Sequence, residues 1–381
     1  MSFIKQQSTG KSKQVEFKPI VIASRPRYLH ILGSNLKGQC SPPNTKFLSV
    51  KGGLLHSVGI SEEGKILTWG CNEFGQLGSY TPWLKSIIFN SPKHYSLNFK
   101  AKVKSVSAGS WHTGALTEQG DLFTWGRGSE GQLGYFTSKK ANYIPTLVMR
   151  LVSEVSCGSD FTFVVLQDSR VAGFGNGKKC VLGRALQSYC CTPCFADEFQ
   201  NLGISTIECG WSHCLAIDNK GQVYMWGDPY SEVSSFEPLF EPVLVFQGAK
   251  KVSCGDYHSA LVTKQGTLFT WGGNGYSQLG YQTEDFLSPE PSQVNLGESI
   301  VDVKCGGIYT VCLSSEGNVF GWGSNRYSQL GKGQLEYQRV VEVEDSCNNK
   351  ITSIESGHSH TILLLKQPYV CSDLGENYLV D

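Results

Sequence analysis

The chain has 381 residues, and its 33 Lys and Arg residues balance 33 Asp and Glu residues, so the formal net charge is zero. This balance argues against a protein that binds nucleic acid through its overall charge. No apolar run reaches the roughly 18 residues that a membrane-spanning helix needs, so we expect no transmembrane segment. The 43 glycines and the aromatic content of 11% are typical of an all-β protein with many tight turns.

The first 28 residues carry six basic residues and one acidic residue, Glu16. The basic residues are scattered rather than clustered, which is typical of a solvated tail. We therefore predict a disordered basic tail at 1–28, a folded domain at 29–366 and a C-terminal tail at 367–381. The N-terminus lacks the apolar core of a signal peptide. A cytoplasmic location is predicted, with a nuclear one left open.

From residue 29 onward one sequence unit recurs. Its clearest copy, Ser107–Gly134, holds two apolar runs that meet at Gly109 and a third run that follows a turn at Gly120. Short runs separated by glycine turns are typical of antiparallel strands. A His-type and a Trp-type position lie 13 residues apart in every full copy, at 56–69, 112–125, 161–174, 213–226, 258–271 and 309–322. Constant spacing within copies and variable spacing between them indicate a rigid module joined by loops.

A seventh copy is divided between the two ends of the chain. Its first half lies at Gly357–Leu364 and its second half at Leu29–Gly38. The two halves make one unit only if the ends of the chain meet, which a closed ring achieves and an open solenoid does not. The sequence therefore predicts an all-β, seven-bladed β-propeller in which N- and C-terminal segments close one blade.

The ordered motifs Gly-x-x-His, Trp-Gly and Gly-Gln-Leu-Gly resemble the repeat of the regulator of chromosome condensation family, over about residues 29–365. The resemblance implies a seven-bladed propeller. It implies less about function, because that family includes an exchange factor for the GTPase Ran, other small-GTPase regulators, ubiquitin-ligase domains, a plant light receptor and adaptors.

The two positions between the glycine and the histidine differ from copy to copy. Varied turns on a constant frame are typical of a binding surface, and Trp and Tyr are typical of its hot spots. The candidate partner-binding residues are Trp111, Asp160, Trp211, Asp256, Tyr257 and His358. The alternative is that these side chains merely fill the central funnel of the ring.

The family resemblance implies a role for three of these residues. In the Ran exchange factor two aspartates and a histidine from this turn contact the GTPase; Asp160 and Asp256 match by type and His358 matches loosely. The two aspartates lie in non-adjacent copies, however, and no wedge-like insertion interrupts the loop after Phe174-Gly175. Ran is therefore a less favoured partner than another small GTPase.

The repeated histidines and tryptophans are predicted to be structural. Phe161 and Tyr309 occupy the histidine position in two copies. Neither residue could replace a histidine that acts as a catalytic base, so we expect the repeated histidines to form hydrogen bonds between blades. The tryptophans are expected in the core. No nucleophile signature, P-loop or metal motif is present, so we expect no cofactor, no metal and at most nucleotide-exchange activity.

Two groups stand out among the fourteen cysteines. Four of them share one register just before the repeat glycine, which predicts small buried side chains and reduced thiols; they are Cys157, Cys209, Cys254 and Cys305. The stretch from Cys190 to Cys194 is instead predicted to be a loop with surface thiols, the alternative being a metal or redox site.

Two functions follow as hypotheses. The first is a protein-interaction propeller that acts as a guanine-nucleotide exchange factor or regulator of a small GTPase. The alternative is a non-catalytic scaffold or adaptor, for example for ubiquitin-ligase, trafficking or cytoskeletal partners. In both, the partner is a protein.

Overall fold

The computed structural model describes residues 27–80, 94–178, 181–182, 189–230, 237–281, 283, 285–331, 337–342 and 351–369. Most of the two predicted tails lies outside these ranges. Within them the chain forms 27 strands in seven antiparallel sheets and one short 3-10 helix, Asp197–Phe199. No helix in this part of the chain has the length and apolar character needed to cross a bilayer.

Six sheets, the first six blades of the ring, contain four strands each in chain order. Blade 1 is β2 (Phe47–Gly52), β3 (His56–Ser61), β4 (Ile66–Gly70) and β5 (His94–Leu97). Blade 2 is β6 (Val103–Ala108), β7 (His112–Thr117), β8 (Leu122–Arg127) and β9 (Ala141–Met149). Blade 3 is β10 (Val152–Cys157), β11 (Phe161–Leu166), β12 (Val171–Asn176) and β13 (Tyr189–Phe195).

The remaining four-stranded blades follow the same plan. Blade 4 is β14 (Ile204–Cys209), β15 (His213–Asp218), β16 (Gln222–Gly227) and β17 (Leu239–Gln247). Blade 5 is β18 (Ala249–Cys254), β19 (His258–Thr263), β20 (Leu268–Gly273) and β21 (Leu287–Val294). Blade 6 is β22 (Ile300–Cys305), β23 (Tyr309–Ser314), β24 (Val319–Ser324) and β25 (Tyr337–Glu342).

Blade 7 joins the two ends of the chain. It contains β26 (Ile351–Ser356), β27 (His360–Tyr369) and β1 (Arg27–Gly33), in the order β1-β27-β26. In the β1–β27 pair Leu29 lies opposite Leu364, and Gly33 lies opposite His360. The predicted all-β, seven-bladed propeller with one blade closed by both terminal segments is confirmed.

The core of the propeller lies between blades. The second strand of each four-stranded blade is buried along its whole length, because it has a strand on each side and a blade against each face. The predicted core tryptophans all have side chains with no exposed surface; they are Trp69, Trp125, Trp226, Trp271 and Trp322. Trp125 of blade 2, for example, packs in one cluster with Val58 and Ile60 of blade 1.

The repeated histidines bond between blades, as predicted. Each Nε2 lies 2.8–3.1 Å from a hydroxyl oxygen of the next blade: His56 to Thr113, His112 to Thr162, His213 to Ser259, His258 to Thr310 and His360 to Ser57. The last of these bonds crosses from blade 7 to blade 1 and so reinforces the closure of the ring.

The tautomer of these histidines follows from the bonds around them. The Thr113 hydroxyl donates its hydrogen to the carbonyl of Gln76, 2.8 Å away. It must therefore accept from His56, whose Nε2 carries the hydrogen. Trp125 Nε1 donates to the same Gln76 carbonyl at 2.9 Å. One backbone oxygen of the Gly-Gln-Leu-Gly loop thus receives two bonds from the neighbouring blade.

Burial keeps these histidines neutral. It lowers the pKa of His56, His112 and His258 to about 3 and the pKa of His213 and His360 to about 4. A charged imidazole would lose its hydration in this core without gaining a carboxylate partner, which is why the neutral form is favoured.

The innermost strands carry charged side chains into the central channel. Lys51 and Lys304 both contact the Glu355 carboxylate, at 2.9 and 3.3 Å. Burial, with the charge of Glu208 nearby, raises the pKa of Glu154 to about 7. The Glu154 carboxyl is thus protonated or charged depending on the pH near neutrality. Burial also raises the pKa of Glu355, but the charges and hydrogen bonds of Lys304 and Lys51 lower it by more, so the net shift of Glu355 is downward.

The stretch from Cys190 to Cys194 differs from its prediction. It belongs to a strand, β13, rather than a loop, and Cys190 is joined to Cys194 by a disulfide. The expectation of surface thiols throughout this segment is therefore wrong at this pair, while Cys191 remains a free thiol.

We predict that the protein loses stability as the pH falls below about 6.5. Unfolding frees the five buried histidines to take up protons that the folded chain accepts only near pH 3 to 4, so their contribution is present above pH 6.5 and lost below it. By pH 5 each should cost roughly 1–2 kcal/mol. Urea denaturation at several pH values measures this dependence.

His112→Phe provides the matched control for this prediction. Phenylalanine is the native residue at the equivalent position, Phe161, and Thr162 keeps its bond to the Gln132 carbonyl (2.9 Å). The variant should still lose stability in acid, but its unfolding should take up about one proton fewer than the five expected for wild type. An unchanged dependence would show that His112 does not contribute.

Glu154→Gln should have the opposite pH signature. The raised pKa of Glu154 means that its contribution to stability is favourable below about pH 4.5 and is lost as the pH rises through about 7. The amide carries no charge to desolvate, so the variant should be more stable than wild type at pH 8, by on the order of 2 kcal/mol. At pH 5 the two should unfold at similar urea concentrations; a gain of equal size at both pH values would contradict this explanation.

Candidate functional site

The Gly-x-x-His turns all lie around one mouth of the central channel. Each joins the innermost strand of a blade to the second strand, so the seven turns meet where the innermost strands end. They enclose a shallow cavity of about 90 Å³ whose lining includes one turn glycine from every blade: Gly53, Gly109, Gly158, Gly210, Gly255, Gly306 and Gly357. We call the surface formed by these turns and the adjoining Trp-Gly loops the channel-mouth face.

Backbone hydrogen bonds fix these turns to one another. The amide of the residue after the turn glycine donates to a carbonyl of the next turn, as in Trp211 to Gly255 (3.2 Å), Asp256 to Gly307 (2.9 Å) and His358 to Gly53 (3.1 Å). The last bond again crosses from blade 7 to blade 1. The varied side chains of the channel-mouth face are therefore presented by a backbone with little freedom to move.

Three of the six candidate residues form one cluster. His358 Nε2 lies 3.0 Å from Asp256 Oδ2, although the two residues belong to blades 7 and 5. The turn of blade 6 lies between them, and a Cβ at its Gly307 would come within 2.8 Å of the His358 ring. The absence of a side chain at Gly307 thus leaves room for the pair. The rings of Trp211 and His358 lie 6.2 Å apart.

The cluster combines charge with an exposed aromatic ring. Burial lowers the pKa of His358, but the hydrogen bond and charge of Asp256 raise it by more, so the net shift is upward. The imidazolium is therefore favoured closer to neutral pH than in a free histidine. Trp211 is 37% exposed, so the three side chains offer a partner a cation, a carboxylate and an aromatic surface.

Two further candidates lie in a second cluster, across blades 1 to 3. Asp160 accepts from Arg127 Nη1 at 3.3 Å and from Gln132 Nε2 at 3.0 Å. Burial raises the pKa of Asp160, while Arg127 and Gln132 oppose that shift. Trp111 packs edge-on against Phe74, with ring centroids 5.2 Å apart, and the Arg127 guanidinium lies 5.7 Å from the same ring.

Tyr257, the sixth candidate, is half-buried beside the loop of its own blade. Its carbonyl accepts a hydrogen bond from the Gly273 amide at 2.7 Å. The structure thus brings Trp211, Asp256 and His358 together, separates them from Trp111 and Asp160, and leaves Tyr257 beside the blade 5 loop.

Sequence reasoning missed the contribution of the Trp-Gly loops. The third strand of a blade runs parallel to the first, so the loop that follows it emerges on the channel-mouth face. This rule could have placed Arg127 and Phe74 there. It also places Tyr276 and Tyr327, both 43% exposed, at equivalent positions of blades 5 and 6, with the Arg326 guanidinium 6.0 Å from the Tyr327 ring.

The side chains of the channel-mouth face are suited to binding a partner. Cys157, Cys209, Cys254 and Cys305 line the channel-mouth cavity, but burial raises the pKa of Cys157 and Cys305 to about 12, so those thiols are poor nucleophiles. Both aspartates already have partners within the chain. Among the described residues no group of three or more His, Cys, Asp or Glu side chains is arranged to hold a metal ion.

Comparison with known proteins gives the family. The model of the RCC1-like domain matches residues 10–363. The chain belongs to the RCC1-like domain family. It is 26% identical over 343 residues to the ultraviolet-B receptor UVR8 of Arabidopsis thaliana, covering 86% of this chain and 77% of the receptor. It is 28% identical over 295 residues to the secretion-regulating guanine nucleotide exchange factor of Bos taurus, covering 72% of this chain and 63% of that protein.

A solved structure supports the same fold. Prp20p from Saccharomyces cerevisiae superposes with a TM-score of 0.75 at 18% identity, over 92% of this chain and 93% of Prp20p. This similarity concerns the arrangement of the blades. The side chains of the channel-mouth face have to be interpreted from this chain's own sequence.

Asp256→Asn should lower the pKa of His358. The substitution removes the carboxylate charge that favours the imidazolium while keeping a hydrogen-bond acceptor of the same size, so we expect the pKa of His358 to fall. NMR titration of the His358 ring measures it. Asp168→Asn, in the turn between β11 and β12 at the opposite end of its blade, is the control and should leave that pKa unchanged. An unaltered pKa in Asp256→Asn would show that the pair does not exist in solution.

Proposed function

We propose that this protein regulates a small GTPase by binding it on the channel-mouth face and promoting guanine-nucleotide exchange. The observation that carries the proposal is the cluster of Trp211, Asp256 and His358, whose aromatic and charged side chains are presented together on a rigid backbone. Aromatic and charged residues around a desolvated centre are the usual composition of a protein-binding hot spot.

The relatives support a GTPase as the partner. One relative, at 28% identity, is named as a guanine nucleotide exchange factor. Prp20p, which shares the fold, has reported binding to Gsp1p and histones. Neither similarity identifies the GTPase that this chain would bind, and the cytoplasmic or nuclear location stays a prediction from the sequence.

Exchange would require no covalent chemistry. An exchange factor binds the nucleotide-free GTPase more tightly than the loaded form, and each factor of ten between the two affinities corresponds to about 1.4 kcal/mol. Asp256 could contribute by accepting a basic side chain of the GTPase in place of His358. Asp160 could act in the same way by releasing Arg127. In both cases the aspartate carboxylate changes one cationic partner for another and so stays paired.

The pairing of both aspartates also favours a second candidate function. A carboxylate that is already satisfied by Arg127 or His358 has less free charge with which to disturb a magnesium and phosphate site. The same face could therefore hold a partner without releasing nucleotide, as a non-catalytic scaffold or adaptor.

The test is a panel of purified small GTPases loaded with a fluorescent nucleotide. We expect the wild-type chain to accelerate release from at least one member, and Asp256→Ala or Trp211→Ala to reduce that acceleration by roughly tenfold or more, the range for a hot-spot residue. Asp168→Ala, at the opposite end of the blade, should match wild type.

The outcomes separate the two functions. No acceleration with any member of the panel would contradict the exchange proposal. A GTPase that binds through Trp211 and Asp256 but keeps its nucleotide would identify the scaffold. Acceleration that survives both substitutions would place the active surface elsewhere on the propeller.

A further inference from the structure

Blade 4 differs from the other six blades in the residue pair at the base of its Gly-x-x-His turn. In every blade the last residue of the innermost strand lies directly opposite the second residue of the next strand. In six blades that second residue carries a hydroxyl: Ser57, Thr113, Thr162, Ser259, Thr310 and Thr361. In blade 4 the pair is Cys209 and Cys214, so two thiols face each other across the turn.

The replacement of a histidine by Phe161 explains why a thiol is tolerated there. Where the preceding blade has a histidine, its Nε2 bonds to the hydroxyl, as His213 does to Ser259 at 2.8 Å. Phe161 has no hydrogen-bonding group to place at that point. Position 214 is therefore free of the need for a hydroxyl, and Cys214 packs in one apolar cluster with Phe161.

The two sulfur atoms are close enough to be joined with little movement. The Cys214 thiol donates to the Cys209 sulfur at 3.7 Å. Residues directly opposite each other in an antiparallel pair have Cβ atoms about 4.5–5.5 Å apart, and a disulfide holds its Cβ atoms about 3.5–4.5 Å apart. The pair of strands can therefore accept the bond without a change of register.

The Cys209 thiol is the one that solvent reaches. It is half-buried and lines the channel-mouth cavity of about 90 Å³, well above the roughly 10–15 Å³ that a molecule the size of water needs. Cys214 has no exposed surface, and its burial raises the pKa of its thiol, which makes Cys214 a poor first nucleophile. Cys254, also half-buried, faces the Ser259 hydroxyl and has no thiol opposite it.

We propose that Cys209 and Cys214 are an oxidation site that forms a disulfide in the presence of hydrogen peroxide, with Cys209 reacting first. The Cys209 sulfur attacks one peroxide oxygen, the O–O bond breaks, and a sulfenic acid and one water are formed. The Cys214 sulfur then attacks the Cys209 sulfur and the S–O bond breaks. The proton of Cys214 leaves with the hydroxyl as a second water, so the peroxide gains the two electrons that the thiols lose.

The position of the pair gives the disulfide a structural consequence. Cys209 and Cys214 flank the turn that carries Trp211, so the bond would tie the two ends of that turn together. An effect of oxidation on partner binding rests on the proposed function, because Trp211 belongs to the proposed GTPase-binding cluster. The oxidation chemistry does not rest on it, and its test involves no GTPase.

Peptide mass spectrometry on the full-length chain tests the proposal. The reduced, folded protein is treated with hydrogen peroxide, its remaining thiols are blocked with N-ethylmaleimide, and it is unfolded and cleaved after glutamate. Cleavage after Glu208 keeps Cys209 and Cys214 on one peptide and separates them from Cys190 and Cys194. We expect this peptide to lose two hydrogens at least about tenfold faster than the Cys254 thiol is oxidised, because adjacent thiols react at a high effective concentration.

Two variants separate the roles of the thiols. Cys214→Ser introduces the residue that is native at the equivalent position of blade 5, Ser259. It should abolish the disulfide and leave Cys209 as a sulfenic acid that dimedone traps. Cys254→Ser removes another thiol of the same cavity and should leave the yield of the Cys209–Cys214 bond unchanged.

Three results would overturn the proposal. The first is that Cys209 and Cys214 are both still blocked by N-ethylmaleimide after Cys254 has been oxidised. The second is a disulfide from Cys209 to a thiol other than Cys214. The third is an equal rate of bond formation in urea-unfolded protein, which would show that the fold does not prepare the pair. All three are measured on wild type, so they decide the question even if Cys214→Ser fails to fold.

Discussion

The structure depends on one backbone carbonyl that, between most neighbouring blades, links one blade to the next. In blade 1 it is the Gln76 oxygen, which accepts from both Thr113 and Trp125 of blade 2. The Gln76 side chain accepts from the amide of Phe74 within its own loop, at 3.0 Å. The side chain therefore shapes the loop, and the loop directs the carbonyl into the interface between blades 1 and 2. We call each such interface between neighbouring blades a seam. A buried donor left without this acceptor would cost about 1–3 kcal/mol, so each seam constrains the sequence of two blades at once.

The departures from the repeat follow the same constraint. Phe161 replaces the histidine of blade 3, and the residue that would offer it a hydroxyl is Cys214, which lies in the same buried cluster. In that seam the Val181 carbonyl receives the bond from Trp226, at 2.8 Å, since the seam requires a carbonyl and not a glutamine side chain. In the next seam, where the Gly-Gln-Leu-Gly motif is lost, Trp271 Nε1 has the Met225 thioether at 3.5 Å. Between blades 3 and 4 the histidine and its hydroxyl partner are thus replaced together, whereas between blades 4 and 5 the tryptophan donor is kept and only its acceptor changes.

A rigid frame also explains how distant turns form one surface. Asp256 and His358 are 102 residues apart and two blades apart, yet they bond because the ring fixes both turns and Gly307 leaves the space between them open. The binding face is consequently assembled from several blades, and no single repeat contains it. The same geometry pairs Asp160 with Arg127, so the charges available to a partner depend on which internal pair it can replace.

The sequence alone determined the repeat, the number of blades, the closure by both termini, and the structural roles of the histidines and tryptophans. These are periodic properties, and the 13-residue spacing records the length of one strand pair and its turn. The sequence could also place the six candidate residues in the turns of one face. Only the tertiary structure decided that Asp256 pairs with His358, that Asp160 pairs with Arg127, and that Cys190 and Cys194 lie on a strand as a bonded pair. Such contacts depend on the angle between blades and on the space left by one glycine. The spacing of motifs within a single repeat specifies neither of these quantities.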